Sequence, residues 1–335
     1  MFKHSHIFTL LIVTLVLLWL ASLLFGSVTI TLGDFWQAFI GDPVQKSDAL
    51  ILWDYRLPKS ITAILVGSGL GISGLLMQTF FRNALAGPYV LGISSGASLG
   101  VALLVMGSIG LSVAVLNAWT MMIAAALGSF LVLLLILLVS KKMEDPTTLL
   151  IVGLMFGSFT GAVVGILAYF SSAEALQKFT LWSMGSLHQM SWEAVVILSI
   201  TVFIGLVMAY SQMKSLNLML LGKNYAISMG ASWKIFQQVV LLSTAILAGS
   251  ITAFVGPIAF IGLSVPHLAR LLFQTSQHLV LFWGCVLIGA ILLLLCDLIA
   301  QVPGLALTLP INAVTSIIGA PMVVWLLMRQ KKLTI

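Results

Sequence analysis

Apolar runs of about 20 residues recur along this chain, and that recurrence restricts the fold more than any other feature. They cover 7–26, 60–81, 90–111, 118–140, 148–170, 194–212, 235–254, 257–273, 279–300 and 311–328. A hydrocarbon core of about 30 Å takes roughly 20 residues of helix to cross. In lipid the backbone N–H and C=O groups must bond within the segment, so each run is read as a helix. The expectation is an all-α polytopic membrane protein with about ten transmembrane helices, forming a single transmembrane domain over 1–335. Charged residues make up 7% of the chain, against about 25% in soluble domains. No polar connection is long enough for a water-soluble domain, and no Walker-type glycine loop occurs. The first run exceeds the roughly 7–15 residues of a signal-peptide core and lacks a small-x-small cleavage site, so it reads as the first helix.

Ten spans put both termini on one side. With that side cytoplasmic, Lys3, Arg82, Lys141, Lys142, Lys214, Lys223, Lys234, Arg270, Arg329, Lys331 and Lys332 lie inside. Lys46, Arg56, Lys59 and Lys178 lie outside. Eleven against four is a positive-inside bias. The acids run the other way, with only Glu144 and Asp145 inside. The net charge of +6 therefore reflects topology and does not point to nucleic acid. Cys285 and Cys296 share one apolar run. On one helix they would stand roughly 16 Å apart, beyond disulfide reach, so they read as small buried hydrophobes.

Between Ser60 and Gly100 the chain is crowded with glycine around a polar knot, Arg82-Asn83-Ala84-Leu85-Ala86-Gly87-Pro88. Small residues let membrane helices approach closely, and irregular backbone at membrane depth needs protein or a water-filled cavity around it. This stretch suggests helices packed around a pathway, with a break near one surface. The knot reads either as an ordinary polar turn or as a re-entrant gate segment.

Three other islands stand out. Arg56-Leu57-Pro58-Lys59 is either an interfacial anchor or a docking point for an acidic partner. Leu221 through Gly230 mixes apolar and polar residues in an inner loop, as a segment meeting a partner protein or lying flat on the leaflet would. Gly256 through Arg270 holds two prolines and His267. A lone histidine lacks the companions of a metal or haem site, so His267 reads as structural. Asp297, near the outer end of its run, is a membrane carboxylate that either serves function or pairs near the interface. No Ser/His/Asp set, HExxH motif or paired glutamates appear, so no catalytic, cofactor or metal site is expected.

In this order the islands resemble the FecCD-type (type II) permeases of ABC importers for iron-siderophores, haem and vitamin B12. The matching residues include Arg56-Leu57-Pro58-Lys59, Gly74 through Gln78, Arg82 through Pro88, Leu91 through Ala97 and Trp182 through Ser186. Further on come Gly222 with Ala226 and Gly230, Gly256 through Arg270, Asp297 and Ile318-Gly319-Ala320-Pro321. The resemblance implies a multi-pass protein of the cytoplasmic membrane that works as a homodimer without cofactors. Two cytoplasmic ATPase subunits and an extracytoplasmic substrate-binding protein would be its partners, and lipid its surroundings. It implies that Arg56 and Lys59 dock the binding protein and that Gly222, Ala226 and Gly230 mark the coupling segment. Pro146, Thr147 and Thr148 fall at the cytoplasmic gate, and Arg82, Asn83 and Pro88 at the inner break. A ferric siderophore is the first cargo in view, with haem and cobalamin beside it. The chain departs from the family where Gln301 replaces a usual arginine, where Lys59 replaces arginine, and where a usual Glu-Leu-Pro-Val-Gly reads Thr308-Leu309-Pro310-Ile311-Asn312. A proton-coupled secondary transporter is the rival reading, with His267 and Asp297 as its titratable groups.

Overall fold

The structure is a computed structural model that describes residues 4–26, 33, 35, 49–107, 117–143, 145–188, 190–301 and 308–330. Of the charges used for orientation, Lys3, Asp34, Asp42, Lys46, Asp48, Glu144, Lys331 and Lys332 lie outside the described residues. Among the described residues the ordered elements are helical, with no strand. In chain order they are α1 (Ser5–Leu24), α2 (Leu57–Phe80), α3 (Ile93–Val105), α4 (Ala118–Lys142), α5 (Pro146–Phe170), α6 (Ala173–Ser183) and α7 (Trp192–Ser211). Then follow α8 (Met213–Leu220), α9 (Lys223–Ser228), α10 (Trp233–Val255), α11 (Ile261–Phe273), α12 (His278–Ala300) and α13 (Ile311–Gln330). Seven of them (α1, α2 with the turn before it, α4, α5, α7, α10 and α12) are long and apolar enough to cross a membrane. The shorter apolar α3, α11 and α13 match the remaining three runs.

Local chemistry sets the ends. Asn117, Asp145, Ser172 and Ser191 cap α4, α5, α6 and α7, each side chain accepting from a backbone N–H three residues on. Two helices start later than the apolar pattern suggests. Gly92 (φ 74°) stands in the left-handed region before α3, and Gly256 (φ 78°) ends α10, so 81–92 and 256–260 are not α-helical. At about 1.5 Å per residue, thirteen-residue α3 and α11 reach only about 20 Å, which puts both breaks within the thickness of the bilayer.

The glycine-rich α2 is the centre of the chain's own packing, with 83% of its apolar window buried. A Cβ on Gly67 would stand 2.1 Å from Gly289 O, and one on Gly74 would stand 1.5 Å from Gly262 O. Helix α2 is therefore pressed backbone to backbone against α12 and α11, an approach that only glycine allows. Gly96 and Gly128 join α3 to α4 in the same way. By contrast α5 buries only Leu149, Gly153 and Thr160. Met155, Phe159, Ile166, Tyr169 and Phe170 are exposed, and Gly161 and Gly165 face open space. It is α5, not α2, that offers an uncovered face.

Candidate functional site

At the outer end, a single turn of wider helix, Ile51–Arg56, leads into α2. Arg56 turns back to α1, its Nη1 donating to Leu23 O at 2.6 Å and Leu24 O at 2.9 Å. The last carbonyls of a helix lack intrahelical partners and carry partial negative charge, so a guanidinium there both bonds and neutralises them. Lys59 Nζ lies 3.0 Å from Asp297 Oδ2 on α12. Gln301 Nε2 donates to the same oxygen at 2.9 Å. Lys59 is 8% exposed and Asp297 1%. Arg56 and Lys59, the two basic residues of the outer motif, are thus buried and engaged within the chain. The physical reason is the carboxylate of Asp297, which cannot be buried among helices without a cation beside it.

His188 joins this cluster, its Nε2 standing 3.4 Å from Lys59 Nζ. The residue is exposed along one side while its ring end faces the ion pair. Burial first, then the Lys59 charge, holds its imidazole below the ordinary 6.5. The unfolded chain then takes up a proton at higher pH than the folded one. Stability is complete above the ordinary value and is lost as pH falls from there towards the lower folded value. Between about pH 8 and pH 5 the thermal midpoint should drop more in the parent than in His188→Gln. Parallel curves would contradict this.

The two breaks at membrane depth meet. Pro88–Leu91 forms a 3-10 turn from which the Tyr89 hydroxyl donates to Ile258 O. The Tyr89 hydroxyl oxygen in turn accepts from Ile258 N at 3.2 Å. Asn312 Oδ1, at the start of α13, accepts from Ala259 N at 3.0 Å. Phe260 then adopts φ 65° before α11 begins. The freed backbone groups of 256–260 are thus answered by side chains from two other elements, as lipid surroundings require. Tyr89→Phe and Asn312→Ala should each cost about 1–3 kcal/mol, because each leaves a buried backbone group unsatisfied. Thermal unfolding in detergent measures it, and unchanged midpoints would show that the break does not depend on them.

At the opposite end, Arg82 (φ 47°) follows α2 and its Nη2 donates to Met219 O, one of the last carbonyls of α8, at 2.9 Å. Asn83 Oδ1 accepts from Leu85 N at 2.9 Å and turns the chain. His267 Nε2 lies 2.8 Å from Ala84 O. A carbonyl only accepts, so that nitrogen carries a proton and His267 pins the knot to α11. Gly222 (φ 116°) opens α9, and Gly230 (φ 89°) follows its end. Ala226 is buried while Leu221, Tyr225, Ile227 and Met229 are exposed. Asp145 Oδ2 accepts from Thr148 N and Thr148 Oγ1, both at 3.0 Å, and fixes the start of α5. Those bonds, the backbone one first, hold its carboxyl below the usual range. A cavity of about 230 Å³ lies here, lined among others by Arg82, Pro146, Thr147 and Lys223. One residue of the 82–88 knot, one of the 222–230 segment and two of 146–148 therefore share one cavity; Asn83, Pro88, Thr148, Ala226 and Gly230 are not among its lining residues.

Sequence reasoning missed Tyr89, Asn312, Asn217 and His278, which lie at span ends or in turns where polar residues carry no distinguishing pattern. Asp297 was legible as a membrane carboxylate, but its partner Lys59 sits 238 positions away in sequence (297 − 59).

A glycine-packed core of apolar helices with paired non-helical breaks and a short surface helix beside a cavity is the architecture of a polytopic membrane permease. The chain belongs to the FecCD transport family, whose model matches residues 14–329. It is 35% identical over 324 residues to the hemin transport system permease protein HmuU of Yersinia pestis, covering 96% of this chain and 95% of that protein. It is 33% identical over 304 residues to the vitamin B12 import system permease protein BtuC of Salmonella typhi, covering 90% of each. A solved structure described as an inward-facing conformation of a metal-chelate type ABC transporter superposes with a TM-score of 0.86. That match has 27% identity and covers 97% of this chain and 99% of the other. The fold is that of a type II ABC importer permease, and the resemblance read from the motifs holds.

Proposed function

We propose that this chain is the membrane permease subunit of an importer that moves a metal chelate inward, driven by two separate cytoplasmic ATPase subunits. Hemin and vitamin B12 are the cargoes named for the relatives, and both are metal chelates. A ferric siderophore belongs to the same chemical class and is the first cargo to test. The residues 1–335 act as one permease domain in the cytoplasmic membrane, with both termini on the cytoplasmic side. Two copies enclose the path, with the uncovered face of α5 turned towards the partner copy. Gly222, Ala226 and Gly230 frame the segment that the ATPase grips. Pro146, Thr147 and Thr148 form the inner gate, and Arg82, Asn83 and Pro88 the break beside it.

The observation that carries this reading is the shared cavity of about 230 Å³, lined by Arg82, Pro146, Thr147 and Lys223, the last being the first residue of α9, whose Tyr225 and Ile227 are exposed. A push on α9 acts on the gate and the break at once. An extracytoplasmic binding protein delivers cargo to the outer face, where Arg56 and Lys59 act by setting the ends of α1, α2 and α12 that it meets. The rival proton-coupled mechanism requires titratable groups free to exchange protons. Here Asp297 is paired with Lys59 and His267 holds Ala84 O.

The test is to tag the chain in its own host, solubilise it gently and identify what co-purifies. An ATPase subunit is the expected companion. Replacing exposed Tyr225 and Met229 by aspartate should release it while leaving the permease folded. A permease that purifies without any ATPase under conditions that keep its dimer intact would overturn the proposal.

A further inference from the structure

Gln78, Thr79 and Arg82 stand at the cytoplasmic end of α2, and each reaches a different neighbour. Arg82 bonds Met219 O on α8. Gln78 Nε2 donates to Leu263 O on α11 at 3.0 Å, and its Oε1 accepts from Arg270 Nη1 at 2.5 Å. Thr79 Oγ1 lies 3.0 Å from Nε2 of His278, the first residue of α12. His278 faces α8 with its other side: its backbone N and its Nδ1 reach Asn217 Oδ1 at 2.9 and 2.7 Å.

The proton positions follow from these distances. A backbone N–H can only donate, so the Asn217 atom is the carbonyl oxygen, and Nδ1 must donate to it as well. In the neutral imidazole Nε2 is then the acceptor. The Thr79 hydroxyl proton is shared between that nitrogen and Leu75 O at 2.9 Å. His278 is 1% exposed and Thr79 8%, so the His278–Thr79 end of the chain is sealed from water, while Asn217 is half-buried. Sealed polar chains hold discrete arrangements, since a partly broken one leaves buried groups unsatisfied.

The mechanical context gives this chain a role. Helix α8 is joined to α7 through one non-helical residue, Gln212, and to α9 through Leu221 and Gly222. A displacement of α9 could be absorbed at either joint unless α8 is tied sideways to the core. We propose that His278 is the positioning residue that ties α8 to the inner end of α2 and α12, so that a push on α9 shifts these helices as one body. Because α2 and α12 are fused by the Gly67–Gly289 approach, the shift carries into the membrane. The inference rests on the reading of Gly222–Gly230 as the ATPase-coupling segment and adds the route by which force leaves it.

The test uses the ATPase complex that co-purifies with the tagged chain, reconstituted in lipid. Gly161→Cys on the open face of α5 serves as reporter, since a Cβ there meets nothing within 4 Å and both native cysteines are buried. Maleimide labelling is timed with and without MgATP. In the reporter background MgATP is expected to change the labelling rate. Thr79→Val, which removes the hydroxyl and keeps the shape, should shrink that response about fivefold, the equilibrium equivalent of one lost hydrogen bond. His278→Ala and Asn217→Ala should do the same, with the ATPase still bound and hydrolysing. Thr79→Ser should restore the response, which a general loss of packing would not. Should His278→Ala fail to fold, Asn217→Ala decides alone, because the Asn217–His278 bonds are the ones that join α8 to α12. A full MgATP response in Asn217→Ala overturns the tie while leaving the coupling segment standing. A reporter complex with no bound ATPase, or with no MgATP response, overturns the coupling reading and the tie with it.

Discussion

Gly74→Ala should keep the chain from forming a stable helical bundle, even though it adds one methyl group. That methyl carbon would sit 1.5 Å from Gly262 O and 2.5 Å from Gly262 C. Neither atom can rotate away, because both are backbone at the start of α11, next to the non-helical loop bonded by Tyr89 and Asn312. Overpacking against side chains costs about 1–3 kcal/mol, and a collision with backbone lies at or beyond the top of that range. The thermal midpoint in detergent should fall by at least about 5 °C, or folded protein should be absent. Gly161→Ala is the matched control: it adds the same methyl group where nothing lies within 4 Å, and its midpoint should not move. Equal behaviour of the two variants would refute the close approach of α2 to α11.

The second large effect is at the outer end. Removing either member of a buried ion pair strands the other charge and typically costs about 3–5 kcal/mol, whereas replacing both with apolar residues of similar size is often near neutral. Lys59→Met and Asp297→Leu should therefore each destabilise strongly, and the double variant should recover most of the loss. Gln301 donates to the same carboxylate oxygen, but an amide supplies no charge and cannot stand in for Lys59. Unfolding midpoints of the four proteins form a double-mutant cycle; additive losses would mean that the pair contributes nothing as a pair. This also changes how docking can be examined. Reversing Arg56 and Lys59 to glutamate would strip the end of α1 of its cation and set three carboxylates at one buried site. Lost uptake in that variant would report on folding before it reported on a binding protein.

Much of the fold was legible because lipid leaves the backbone one solution for an apolar run. Each expected span contains or overlaps a helix, and the misjudged ends are instructive. The run 90–111 begins its helix only at Ile93 and 257–273 only at Ile261, because a left-handed glycine or Phe260 precedes each. Hydropathy cannot see a positive φ. Glycine density announces close approach, but not whether the approaching backbone belongs to the same core or to the wall of a path. Gly262 and Gly289, far along the chain, settle it for α2. The coupling, gate and break motifs could be picked out one by one from their order, yet their meeting at one cavity depends on how α2, α5, α8 and α9 pack. The tie through His278 was invisible, since a histidine at the start of a span looks like any interfacial residue until Asn217 and Thr79 stand beside it.

In the function proposed above, nucleotide hydrolysis by a partner, acting through the Gly222–Gly230 segment, drives cargo across this chain. The most direct measurement reconstitutes the co-purified complex into liposomes with its binding protein and follows uptake of radiolabelled ferric siderophore, haemin and cobalamin. The account predicts that uptake of one of these chelates needs MgATP, is indifferent to an imposed proton gradient, and is lost in the Tyr225→Asp, Met229→Asp variant. Uptake driven by a proton gradient without nucleotide would contradict it.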